Sequence, residues 1–278
     1  MTFRYLSLNL LTLLLLSGYA FAGKTKEKSC DGVEVNKTIH KKDIIAKGID
    51  RPYQLSVFED SFYFSYNFGN DTQDTFKIGH LKKKDDMESF DTIKNGFATA
   101  IDRENKIAYF GGSEGIYEAD LNKNREIKPV FEGHKYNIWD MFFDQHLYFI
   151  LYPSLLLYKK VGNTTERVEH IDKEIYHFVI DDDNDTFIAT KDGIYEIKNG
   201  TTESIHYDGP KLFRALEIDR EGNAYFCGQN GIYVADKHNH TLVEIASIKD
   251  IFGLTFDEDN HIIYSDPHEI VRLLPENC

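Results

Sequence analysis

Apolar and polar positions along this chain alternate in short runs rather than in helical stripes. Residues 61–66, 106–110, 146–152 and 261–265 are rich in aromatic and branched side chains and are bounded by Asp, Asn or Gly. That is how half-buried strands read. No stretch of a dozen residues holds a 3.6-residue period with caps at its ends, so the pattern predicts an all-β chain.

The runs recur. An apolar residue and an acid, a short turn, an aromatic strand and often Gly-Ile-Tyr return every 38 to 42 residues or so. Three copies are clear: Ile101-Asp102 with Gly115-Ile116-Tyr117, Ile180-Asp181 with Gly193-Ile194-Tyr195, and Ile218-Asp219 with Gly231-Ile232-Tyr233. Weaker copies centre on Phe58-Glu59, Phe143-Asp144 and Phe256-Asp257, which makes six. A period near forty, made of strands and turns, is the mark of a β-propeller in which each repeat supplies one four-stranded blade. The expected fold is a six-bladed β-propeller.

Each repeat then reads as an inner strand leading to the acid, a second aromatic strand, a third opening on Gly-Ile-Tyr, and a polar outer piece. The segments at Asp102 and Asp219 are hairpin turns by composition, Asn105 and Gly222 being suited to positive φ. The sixth repeat runs out of chain after its third strand, near Val271-Arg272-Leu273. The spare strand-like piece Gly32-Val33-Glu34-Val35 is expected to complete that blade, closing the ring and removing open sheet edges.

Composition bounds the rest. Residues 1–22 carry one basic residue, Arg4, an apolar run from residue 10 to 16 and the ending Ala20-Phe21-Ala22, which together read as a secretory signal peptide. Its apolar run is shorter than the roughly 18 residues a membrane span requires. A single domain is expected over 23–278. Cleavage removes one positive charge, taking the formal net charge from −14 to −15. A surface this acidic disfavours nucleic acid and anionic lipid as partners, and a soluble extracellular monomer is expected.

Three cysteines fit an oxidising compartment with one pair and one leftover. Cys30 and Cys278 flank the ring and are paired here, a bridge worth about 4–5 kcal/mol in the entropic model. Cys227, in an apolar run, is expected to be a buried free thiol. Six sequons, at Asn36, Asn70, Asn163, Asn184, Asn199 and Asn239, fall in polar turns where glycans are tolerated.

Candidate chemistry lies five residues before each repeat acid: Gln54, Phe97, Trp139, Tyr176, Arg214 and Phe252. If the inner strands line a central channel, these residues surround one mouth, a concave place suited to a ligand. The competing reading is packing between adjacent blades. As a set they suit a flat conjugated ligand, with Arg51, Gln54, His177 and Arg214 as polar or cationic handles.

No catalytic residue is assigned. Gly111-Gly112-Ser113-Glu114-Gly115 matches a nucleophile-elbow pattern but joins two strands, where that motif requires a strand-to-helix turn. The run from Asp181 to Asp185 has Thr186 where a calcium loop needs Gly and Asp192 where it needs Glu. His238-Asn239-His240 lacks a third ligand nearby. Neither a metal nor a cofactor is expected.

The phrases Ile49-Asp50-Arg51-Pro52-Tyr53-Gln54-Leu55, Asn95-Gly96-Phe97-Ala98, Asn137-Ile138-Trp139, Ala224-Tyr225-Phe226-Cys227 and Ile251-Phe252-Gly253-Leu254 together resemble the insect haemolymph ommochrome-binding proteins, as do Ile263-Tyr264-Ser265-Asp266 and the two terminal cysteines. The resemblance spans the mature chain. It implies a haemolymph carrier that binds a planar, tryptophan-derived phenoxazinone pigment without transforming it. Stacking on Phe97, Trp139, Tyr176 and Phe252, with Arg51 and Arg214 on the pigment's carboxylates, is the expected chemistry. Two other functions compete with it: a metal-dependent lactonase of the gluconolactonase kind, which holds its metal with Glu, Asn and Asp from inner strands, and an extracellular protein-binding propeller.

Overall fold

The computed structural model describes residues 32–70, 72–83, 86–123 and 126–275. Among the described residues every regular element is a strand. Four sheets are four-stranded antiparallel meanders, and each matches one sequence repeat. Their first strands are Tyr53–Phe58, Ala98–Asp102, Ile138–Asp144 and His177–Ile180. The fifth sheet has nine strands and holds the last two repeats, whose first strands are Phe213–Ile218 and Gly253–Phe256. Third strands open where Gly-Ile-Tyr stands, as Gly115–Asp120, Gly193–Ile197 and Gly231–Asp236.

The first strand of each repeat contacts the first strand of the next, and Gly253–Phe256 returns to Tyr53–Phe58, so the inner strands close a cycle. This is a β-propeller layout. The sheets meet through apolar faces. Phe64, Phe110, Phe149, Phe178, Phe187 and Phe226 are almost fully buried between them, the large side chains expected to dominate such a core.

Ring closure departs from the expectation in one respect. The strand that completes the last sheet is Thr38–Lys47, paired with Glu269–Pro275 from His40↔Pro275 to Lys47↔Glu269. Gly32–Val35 lies one strand further out. It forms a hairpin with Thr38–Lys47 and reaches the neighbouring repeat through Val35↔Ala246 and the Asn36 N–H to Ile245 O bond of 2.9 Å. Thr38–Lys47 is polar because it is an outer strand with one mostly solvated face, so it lacks the alternation that marks inner strands. Cys30, Cys278 and the residues of the expected signal peptide lie outside the described residues.

The repeat acids hold the hairpins after the inner strands. Asp102 accepts from Asn105 N, Asp181 from Asp185 N, Asp219 from Glu221 N and Asn223 N, and Asp257 from Asp259 N and His261 N, all at 2.8–3.1 Å. A short acidic side chain bonding its own turn explains why the acid repeats. Gly222 takes positive φ as expected, whereas in the matching turn it is Lys106, not Asn105, that does so.

Candidate functional site

The two ends of each inner strand face opposite ends of a channel. At the starting end the side chains make an unbroken aromatic arc. The Arg214 guanidinium lies 4.0 Å over the Phe252 ring. Phe252 meets Tyr53 at 4.8 Å between centroids, Tyr53 meets Phe97 at 5.7 Å, and Phe97 meets Trp139 at 5.3 Å. Trp139 continues to Tyr152, stacked at 6.0 Å and 52% exposed. Phe76 backs the arc against Phe97 at 4.8 Å. These separations are those of offset and edge-to-face pairs.

Three β-bulges aim these residues. Trp139 is the extra residue between Ile138↔Leu151 and Asp140↔Ile150, and Arg214 the extra one between Phe213↔Gly228 and Ala215↔Cys227. In the first repeat Gln54 and Leu55 together oppose Phe64. A bulge turns a side chain away from the regular alternation. Both Trp139 and Arg214 then donate to the next repeat: Trp139 Nε1 to Tyr176 O at 2.9 Å, Arg214 Nη1 to Ile251 O at 3.0 Å. Their polar groups tie neighbouring repeats together, while the faces of the partly exposed rings are what the mouth presents.

Phe97, Trp139, Arg214 and Phe252 are thus brought together, and Tyr176 joins through its carbonyl. Arg51 stands beside them. Its guanidinium is held by Asp74 at 2.7 Å and Asp50 at 3.4 Å, and burial raises the Tyr53 hydroxyl's pKa against the pull of Arg214 and Arg51. Gln54 holds the same bulged place as Trp139 and Arg214 but takes a positive φ of 49°, and Tyr53, one residue earlier, occupies the arc where Gln54 was expected. Sequence reasoning missed Tyr53 and Tyr152 because neither stands five residues before a repeat acid.

Gln54 and His177 instead face a cavity of about 460 Å³ inside the channel, lined mainly by the inner strands beyond the arc. Its polar wall includes Thr99, whose hydroxyl donates to Gln54 O at 2.7 Å, and Asp140, which accepts from His177 Nδ1 at 3.2 Å. Glu217 is half-buried in the same wall, and burial pushes its carboxyl up to about 8 against the pull of Arg220 and Arg103. A charged residue within the apolar run from Ile138 to Phe143 was the available signal for Asp140.

The motifs set aside in the sequence have structural partners. Ser113 Oγ donates to Lys94 O at 3.1 Å within a strand-to-strand turn. Asp181, Asp183 and Asp185 converge on the ammonium of Lys237 at 2.7–2.8 Å, so a lysine from the next repeat supplies the cation there. Cys227 is fully buried among Ile232, Ala215 and Leu254, and burial raises its thiol to about 12. The six sequon asparagines are all exposed. No described helix is long and apolar enough to cross a membrane.

No family model matches the chain. Among solved structures, a gluconolactonase from Xanthomonas campestris superposes with a TM-score of 0.67 at 12% identity, over 89% of this chain and 96% of that one. A streptogramin B lyase superposes with a TM-score of 0.61 at 13% identity, over 87% and 100% of the two chains. At such identities the likeness concerns the fold alone. In sequence, the chain is 30% identical over 261 residues to the ommochrome-binding protein of Manduca sexta, covering 89% of this chain and 92% of that protein. With that identity running through nearly the whole of both chains, this protein belongs to the ommochrome-binding protein family.

Proposed function

We propose that this chain is a secreted, non-catalytic carrier that binds ommochrome pigment non-covalently in the central channel of a six-bladed propeller. Dividing the nine-stranded sheet at its N-terminal hairpin leaves one inner strand for each of six repeats, which supports the six-blade reading. In this reading residues 1–22 are the signal peptide, 23–278 fold as one domain, Cys30 pairs with Cys278, and the exposed sequons accept glycans.

The observation that carries the reading is the continuous arc from Arg214 to Tyr152, found in a chain whose relative is named for binding this pigment. A planar conjugated ring gains most by stacking on partly exposed aromatic faces already held in place, because little side-chain freedom is lost on binding. Trp139 is fixed by its bond to Tyr176 O and its contact with Phe97, and stands ready for such a ring. Arg214, with its guanidinium over Phe252, is placed to meet the pigment's carboxylate at the other end of the arc.

A titration with xanthommatin, following pigment absorbance and Trp139 emission, tests this. The expected result is saturable quenching with a shifted pigment spectrum, and weakened pigment binding by absorbance in Trp139→Ala and Arg214→Ala. Absence of saturation well above micromolar pigment, or turnover of a lactone by the same preparation, would overturn the reading.

A further inference from the structure

Arg103 and Arg220 face the same cavity from the end opposite the aromatic arc. Each directly follows a repeat Asp, and each reaches sideways to a neighbouring inner strand. Arg103 Nη2 donates to Val57 O. Arg220 Nη2 donates to Phe256 O, and its Nε to Asp257 O at 2.9 Å. Between the two guanidiniums lies Glu258, which accepts from Arg103 Nη1 at 2.6 Å and from Glu59 N at 3.1 Å, and stands 3.9 Å from Arg220 Nε. Two cations share one carboxylate. Burial, and then the nearby charge of Arg103, lower the pKa of Arg220, which records how close the pair is.

Glu217 stands on the wall beside them, in the field of Arg220, Arg103 and Asp140 and within hydrogen-bonding reach of Thr255. With its carboxyl raised to about 8, it is an O–H donor at neutral pH rather than a second counter-ion. Most of the other acids facing the cavity are engaged: Asp140 by His177, Asp181 by Lys237, and Asp219 by its turn amides. Burial raises the pKa of Asp144, and Asp182 is exposed at the rim. Phe142 and Phe143 supply aromatic wall.

We propose that Arg103, Arg220 and the carboxyl of Glu217 form a binding site for the carboxylate of a planar aromatic acid whose ring lies in the channel cavity. The bonds named above engage two of the five N–H groups of each guanidinium, and the fork geometry of the remainder suits a carboxylate. The cavity volume accommodates an acid of one to three fused rings. The site is distinct from the arc and stands whether or not pigment binds there. The carboxylate could come from the pigment itself or from a separate acid.

Calorimetric titration of the whole secreted protein with benzoate, benzamide and benzylamine tests the site. Benzoate is expected to bind saturably at about pH 6.5 and roughly tenfold more weakly at about pH 9.5, because ionised Glu217 then faces the ligand's charge. Glu217→Gln is expected to retain binding at both pH values. Arg103→Gln is expected to weaken it about tenfold or more, the loss of one charge-assisted bond. Benzamide and benzylamine are expected not to bind. Benzoate competing with xanthommatin would identify the pigment's own carboxylate as the natural occupant, and simultaneous binding a separate acid. Equal binding of benzamide or benzylamine, an unchanged pH dependence in Glu217→Gln, or no saturation by benzoate would overturn the proposal, and none of these results requires a variant that fails to fold.

Discussion

The two ends of the channel are built from the same six inner strands and show opposite logic. At the finishing end an acid recurs in every repeat, and in four of them it bonds the amides of its own hairpin turn. At the starting end the equivalent position changes from repeat to repeat, and three of the six strands carry a bulge that re-aims it. What repeats in this molecule serves the turn. What differs between repeats, the aromatic arc at one mouth and the Arg103, Arg220 and Glu217 group at the other, is where the ring is no longer six equal parts and a ligand could be recognised.

The most destructive test of that division acts on the repeated end. Lys237→Met would leave Asp181, Asp183 and Asp185 without their cation. After allowance for screening at a lysine 35% exposed, the expected loss is about 2–3 kcal/mol, read from urea unfolding. Pigment affinity should hold in the folded fraction.

Trp139→Ala removes a half-buried ring and the bond to Tyr176 O and should cost about 2 kcal/mol. Here binding should fall as well. Trp139→Phe restores part of the ring contact but not the bond, and separates the two effects.

Asp219→Ala strips the turn amides of Glu221 and Asn223 and should cost about 1–1.5 kcal/mol with pigment affinity unchanged. A parallel loss of affinity would break the comparison.

The subtlest effect is on pH. The folded chain keeps a proton on Glu217 that the unfolded chain releases near 4.5, so this group's contribution to stability is fully present below about 4.5 and declines as pH rises to about 8. Glu217→Gln should flatten that part of the stability profile measured by thermal unfolding.

Much of the architecture was legible because the features that write a repeat into sequence are the ones every repeat needs: Gly at the opening of the third strand, Asp at the turn, aromatics between. Gly115 and Gly193 take φ of 140° and 124°, a range L side chains rarely adopt, and at Gly231 a Cβ would meet Ala246 O at 2.9 Å. The closing strand was misplaced because Thr38–Lys47 is an outer strand whose polar residues carry no periodic signal. Phe97, Trp139, Arg214 and Phe252 could be grouped by counting back from the acid, since bulges at Trp139 and Arg214 leave that count intact. Tyr53 escaped because it lies one position before the counted place: Gln54 holds that bulged place in the first repeat but takes φ of 49°, and its side chain faces the cavity. Arg103 and Arg220 carried a signal that went unused: Arg directly follows the repeat acid only in these two repeats.

The most direct test of the carrier assignment is a crystal structure of the protein grown with xanthommatin. The account predicts one pigment at the arc, its ring system against the Trp139 and Tyr152 faces and a carboxylate toward Arg214. Pigment density confined to the outer surface of the sheets, with the channel unchanged, would contradict it.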